Sequence, residues 1–178
     1  MTANLYRFRA SKTLTNFRLA NLPKHQLNSF RITINGKQTD QLLDGVTFRT
    51  NDIIEIQRSD HVRDYPVLEF RRDFVKELVA PLPRLGNTRS LSGLFRGCKR
   101  LHSVPRDIFV NNPHVTDFTD VFNGCSALAL NVDLNPNGSI KLDGFASGCK
   151  QQAVIHSRSP SRVQGYVNRA KDANVAIR

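Results

Sequence analysis

The sequence predicts an α+β fold: a short solenoid of three to four helix–strand repeats, entered through a small N-terminal β-meander. Three observations carry that expectation. One phrase is written three times, over residues 90–98, 117–125 and 141–149, and each copy closes on Gly-Cys. Within each copy the apolar residues fall at helical spacing. Ahead of the copies, residues 29–57 alternate apolar with polar side chains and carry hairpin turn signals.

The chain divides into a basic arm (1–28), a small β-rich domain (29–65) and a repeat solenoid (66–178). In the arm, Tyr6 and Phe8 alternate with Arg7 and Arg9, followed by Lys12, Phe17, Arg18 and Lys24. That alternation fits an edge strand, or an arm that orders on a partner subunit or on nucleic acid. In the β-rich domain, Phe30, Ile32 and Ile34 alternate with Arg31 and Thr33 before Asn35-Gly36, a hairpin signal. Asp44-Gly45 gives a second turn, and Asn51-Asp52 precedes an apolar run from Ile53 to Ile56. A meander of three or four strands rarely stands alone, so it is expected to pack on the first repeat. Residues 60–66 read as a loop. Residues 70–78 read as a degenerate repeat with Phe74, Val75 and Leu78 inward, stopped by Pro81-Leu82-Pro83.

Counting back from each cysteine gives the repeat core. The seventh residue before it is Leu91, Phe118 or Leu142, the fourth is Leu94, Val121 or Phe145, and the third is Phe95, Phe122 or Ala146. Leu101 and Leu128 lie three residues after, where the third copy has Gln152. These offsets mark one face of an α-helix, with Cys98, Cys125 and Cys149 on it. The preceding glycines, Gly97, Gly124 and Gly148, permit close approach of a neighbour or end the helix in a left-handed cap. Asp117 and Asp120 fall at helix starts, where they favour the dipole. After the first phrase come a short extended stretch ending at Pro105 and a further turn over 106–110. At the C-terminus, Val163, Tyr166, Val167, Ala170 and Ala173 repeat the offsets after Ser159-Pro160, and 174–178 reads as a closing strand. Residues 159–178 are therefore expected to cap the array. The cysteines recur 27 and 24 residues apart, and such a period with apolar slots is that of a leucine-rich repeat.

The 178 residues carry 39% hydrophobic side chains, 11 phenylalanines and a formal charge of +11. No apolar run approaches the roughly 18 residues of a membrane span. Residues 1–23 are basic without the apolar stretch of a secretory signal, so export by that route is not expected. The three cysteines share one repeated slot, which fits a core ladder of free thiols rather than a disulfide framework. No C-x-x-C or paired-histidine spacing points to a metal, and no cofactor is expected. The five histidines are scattered, no phosphate loop or nucleophile elbow is present, and no acid, base and nucleophile converge, so the chain is not expected to be an enzyme.

Positive charge is the remaining functional signal. Arg96, Lys99 and Arg100 surround Cys98, with Arg84, Arg89 and Arg106 flanking the same repeat and Arg71, Arg72 and Lys76 just before it. The second repeat carries Asp117, Asp120 and Asp133 instead. The candidate partner-binding residues are Arg7, Arg9, Arg18, Arg96, Lys99, Arg100 and Arg106. They suit an acidic protein partner or phosphates; a solvated face is the plainer reading of the same charges. No RNA-binding phrase, zinc finger or helix-turn-helix accompanies them, so contact with nucleic acid would be non-specific.

Residues 94–105 and 115–128 closely resemble the BspA-type leucine-rich repeat, in the phrases Leu94-Phe95-Arg96-Gly97-Cys98 and Val121-Phe122-Asn123-Gly124-Cys125 with the leucine that follows each. The resemblance covers about 88–152, and 153–178 weakly. That family occurs in bacterial and protist surface proteins linked to adhesion, and in bacteriophage structural proteins; it shares a scaffold rather than a site. With the few repeats, the basic arm and the missing export signal, the resemblance implies a non-enzymatic bacteriophage virion component, a decoration or head or tail accessory protein that docks on other virion proteins. Two other readings stay open. One is a BspA-type adhesion module at the bacterial cell surface. The other is a basic nucleic-acid-associated protein of the host cytoplasm or the capsid.

Overall fold

The structure, a computed structural model, describes residues 5–14, 29–39, 46–58 and 73–178. Among these, β1 (Tyr6–Ala10), β2 (Phe30–Ile34), β3 (Lys37–Gln38), β4 (Ile53–Arg58) and β5 (Val75–Leu78) form one antiparallel sheet in the order β3-β2-β4-β1-β5. Period-two alternation decides its faces. Tyr6, Phe8, Ala10, Ile32, Ile54 and Ile56 point inward and are buried. Asn35 (φ 52°) and Gly36 (φ 79°) make the left-handed two-residue turn between β2 and β3 that Asn-Gly encodes. Residues 6–10 thus form an internal strand between β4 and β5. Their arginines lie on the outer face, where Arg7 pairs with Glu55 at 3.1 Å and Arg9 with Glu77 at 3.0 Å. The expected turn at Asp44-Gly45, the loop at 60–66, Phe70, Arg71, Arg72, Phe17, Arg18 and Lys24 lie outside the described residues.

The sheet runs on into the repeats through β5. Glu77 makes a parallel bridge to Ser103, and the His102 N–H donates to the Lys76 carbonyl at 2.8 Å. The next connection is stapled by Asn112, which is 1% exposed. Its Oδ1 accepts the Leu85 N–H at 2.9 Å, and its Nδ2 donates to the Pro83 carbonyl at 2.9 Å. Asn112→Ala strands both buried backbone groups, each at a cost of about 1–3 kcal/mol. Urea melts are expected to show that loss, and Asn112→Asp, which keeps the acceptor, is expected to retain part of it.

The expected solenoid of helix–strand leucine-rich repeats is overturned. The described residues are mostly strand and turn, and the one helix among them, α1 (Pro160–Val167), lies outside all three Gly-Cys phrases. Each phrase is instead a run of tight turns. Two residues per copy, four apart, adopt positive φ: Gly93 and Gly97, Asp120 and Gly124, Gly144 and Gly148. A left-handed residue cannot propagate a right-handed helix. The N–H groups therefore alternate between two destinations. Leu94, Arg96 and Cys98 bond three residues back, to Leu91, Gly93 and Phe95. Gly93, Phe95 and Gly97 donate across to the next copy, to Thr119, Val121 and Asn123, at 2.9, 2.9 and 2.7 Å. The second copy repeats this onto the third, with Asp120, Phe122 and Gly124 bonding Asp143, Phe145 and Ser147. A shortened fourth turn follows, since Gly144 and Ala146 donate to Lys171 and Ala173. Asp117 and Asp120 accordingly begin no helix.

Burial nevertheless follows the expected offsets. Leu91, Leu94, Phe95, Cys98 and Leu101 are buried, as are Phe118, Val121, Phe122, Cys125 and Leu128, then Leu142 and Phe145; Cys149 is half-buried. Successive turns of three and four residues return the same positions inward that a helix would. Phe95 and Phe122 stack at 5.5 Å with planes 8° apart, and Phe145 meets Phe122 edge-on at 5.5 Å. The cysteines are free. The Cys125 thiol donates to the Phe95 carbonyl at 3.0 Å and the Cys149 thiol to the Phe122 carbonyl at 3.3 Å. Burial raises both thiols, Cys125 far above the ordinary range and Cys149 to about 11. Neither is a nucleophile near neutral pH.

On one edge of the stack, isolated bridges join Ser90 to Asp117 and Asp117 to Lys141. Burial alone would push the Asp117 carboxyl up. Hydrogen bonds from Thr119 and Ser90 and the charge of Lys141 outweigh it and hold the group below the usual carboxylate range. A depressed native pKa means stability present above the unfolded value, about 3.9, and lost as pH falls through the native one. The thermal midpoint is expected to fall as pH drops below about 4, and Asp117→Asn to flatten that fall.

The other edge is a parallel sheet, in order β6 (Asn131–Asp133), β7 (Ala153–His156) and β8 (Val175–Ile177). Val132 and Ile155 from it join the same core.

Candidate binding cleft

Because β6 and β7 are parallel, their carboxyl ends lie at one edge, and the chain leaves the stack there each time. Prolines mark the exits: Pro113, Pro136 and Pro160 recur 23 and 24 residues apart. Proline has no N–H for a ladder, so no strand is carried on through these points. The turn over 107–113, the loop over 134–137 and the loop over 157–159 consequently sit side by side and enclose a cleft of about 460 Å³. Asn135 Oδ1 accepts the Arg158 N–H at 2.7 Å, and the Tyr166 hydroxyl donates to the Gly138 carbonyl at 3.3 Å. These bonds hold the loops and α1 together.

The floor is apolar, made of Phe109, Val115, Phe118, Leu134 and Val163, all buried. Val110 stands beside it at 59% exposure, the one large apolar side chain left exposed among the described residues. The rim is polar and cationic. Arg158 and Arg162 are exposed on it, and Arg162 Nε donates to the Tyr166 hydroxyl at 3.0 Å. A second hollow of about 360 Å³ adjoins the cleft, and there Arg106, His156 and Arg178 join Arg158. There Arg106 Nε holds Asp133 at 2.7 Å. The amino end of α1 opens nearby with no acid in its first turn and no side-chain cap from Ser159, so its positive end is left uncompensated.

The candidate residues read from the sequence do not gather here, Arg106 excepted. Arg7 and Arg9 lie on the sheet with their carboxylate partners. Arg96 faces Asp120 at 3.4 Å, and Lys99 and Arg100 are exposed on the first repeat's turn. Arg18 is outside the described residues. Sequence reasoning missed Val110, Arg158, Arg162 and Arg178. The periodic prolines were the signal for them, since they align three loops that a search for charge runs does not connect.

The cleft can hold an anionic group against its rim while the exposed Val110 meets an apolar group. Among the described residues, no set of three or more His, Cys, Asp or Glu is placed to hold a metal, and no helix is long and apolar enough to cross a membrane. No family model, no curated protein and no solved structure matches the chain.

Proposed function

We propose that this chain is a non-enzymatic interaction protein that docks on other proteins of a multi-subunit assembly. The resemblance to BspA-type repeats, taken with how few the repeats are, suggests a bacteriophage particle as the setting. One observation carries the docking reading: an apolar-floored cleft with an arginine rim and an exposed valine, mounted on a stack of hydrogen-bonded turns. An exposed apolar side chain beside a cleft ringed by arginines offers a protein partner an apolar contact and charged ones together. The net charge of +11 adds long-range attraction for an acidic partner. Native size-exclusion of source lysate, with mass spectrometry of the fractions, tests the reading. Elution with other proteins in a large particle is the expected result. Recovery of the chain only as a free small species contradicts it.

A further inference from the structure

We propose that the cleft takes an extended acidic segment of a protein partner, with one apolar side chain of that segment packed on the exposed Val110 at the cleft's edge. The inference rests on the docking reading above and names the chemistry of the docked surface.

Three features select this occupant. The first is extent. The hollows of about 460 and 360 Å³ share Asp133, Asn135, Ser157 and Arg158, so they adjoin along one stretch of surface. Two adjoining hollows suit an extended chain more than a compact molecule.

The second is charge. Arg106, Arg158, Arg162 and Arg178 line the two hollows together with two carboxylates, Asp107 and Asp133, and Asp133 is already held by Arg106. Among the described residues, Arg158 makes no ion pair within the chain. A carboxylate from outside can meet its guanidinium two-pronged, and the uncompensated end of α1 adds in the same direction.

The third is the apolar surface left open. Phe109 and Phe118 are 5% and 2% exposed, so neither ring offers a face on which a base could stack. Val110, by contrast, is 59% exposed, and an apolar side chain packed on it removes apolar surface of both partners from water. The combination favours an acidic peptide over a nucleic acid strand.

The test is fluorescence anisotropy of the full chain with a fluorescein-labelled peptide alternating glutamate and leucine. Matched peptides carry glutamine or lysine in place of glutamate. The glutamate peptide is expected to bind about tenfold or more tightly than the glutamine one, and to weaken as salt rises. Arg158→Glu and Val110→Asp, both at exposed positions, are each expected to weaken it by about tenfold with unchanged thermal melts. Equal binding of the glutamate and glutamine peptides overturns the proposal. So does parent-like binding by both variants, or tighter binding of an oligothymidine lost in the same variants. The same two variants in native fractionation separate this inference from the docking reading. If parent and variants alike stay in the assembly, the cleft assignment falls and docking stands. If the parent itself is never in an assembly, the docking reading falls.

Discussion

Phe122→Ala is expected to destabilise the protein by about 3–5 kcal/mol, a fall in thermal midpoint on the order of 10 °C for a chain of this size. The ring is fully buried at the centre of the stack. It lies flat against Phe95 in the copy before and meets Phe145 edge-on in the copy after, both at 5.5 Å, with Phe109 at 6.2 Å on a third side. Removing it opens a cavity whose walls are themselves fixed by the hydrogen bonds between copies. The Phe122 N–H donates to Phe145 and the Phe95 N–H to Val121, so the backbone cannot collapse inward without breaking them. Collapse is what makes some truncations mild. The loss should therefore sit at the upper part of the range. Chemical and thermal melts followed by circular dichroism measure it, and an unchanged midpoint would mean that the ring is not in the core.

Gly144→Ala is expected to cost about 2–5 kcal/mol, from two separate causes. The first is the backbone: Gly144 has φ 60°, a left-handed conformation that costs an alanine about 1–2 kcal/mol. The second is space. A Cβ on Gly144 would stand 2.1 Å from Asp120 Oδ1, an atom that also accepts Asn123 Nδ2 at 2.7 Å. The third copy thus provides the socket for a carboxylate of the second. Shifting that carboxylate adds an overpacking cost of roughly 1–3 kcal/mol. Two comparisons separate the causes. Gly138→Ala, where a Cβ meets nothing within 4 Å and φ is not positive, should be near neutral. The double variant Asp120→Gly with Gly144→Ala should recover the steric part and leave the backbone part, which a double-mutant cycle reads directly.

These two positions also show what was legible in the sequence. Phe122 was identifiable as core because burial depends only on which residues face inward, and tight turns return the same offsets as a helix. The hand of the backbone was carried by a different signal, the paired left-handed formers four residues apart: Gly93 with Gly97, Asp120 with Gly124, Gly144 with Gly148. One glycine per copy reads as a helix cap; two per copy exclude the helix between them. Asp120 hid the pattern, because aspartate in a left-handed slot looks like a helix-starting acid. The hairpin at Asn35-Gly36 was readable because its turn chemistry is local and strict. The central place of residues 6–10 was not, since a strand's neighbours are set by pairing across the chain; β1 finds its partners in β4 and β5, about fifty and seventy residues on.

The cleft was the least legible part. Its arginines come from positions 106, 158, 162 and 178, which no local window contains. Charge runs drew attention to Arg96, Lys99 and Arg100 instead, because density along the chain is not convergence in space. Only the stacking of the exits after Asn112, Asn135 and Ser159 brings the distant residues together, and that depends on the turn geometry.

The Gly-Cys phrases are thus stacked turns joined from copy to copy. Scalar couplings across hydrogen bonds in the isotope-labelled protein measure it most directly. The account predicts couplings from the Gly93, Phe95 and Gly97 amides to the carbonyls of Thr119, Val121 and Asn123, with the same pattern from Asp120, Phe122 and Gly124 to Asp143, Phe145 and Ser147. Couplings four residues back along each phrase, with none between the copies, would restore the helices and contradict it.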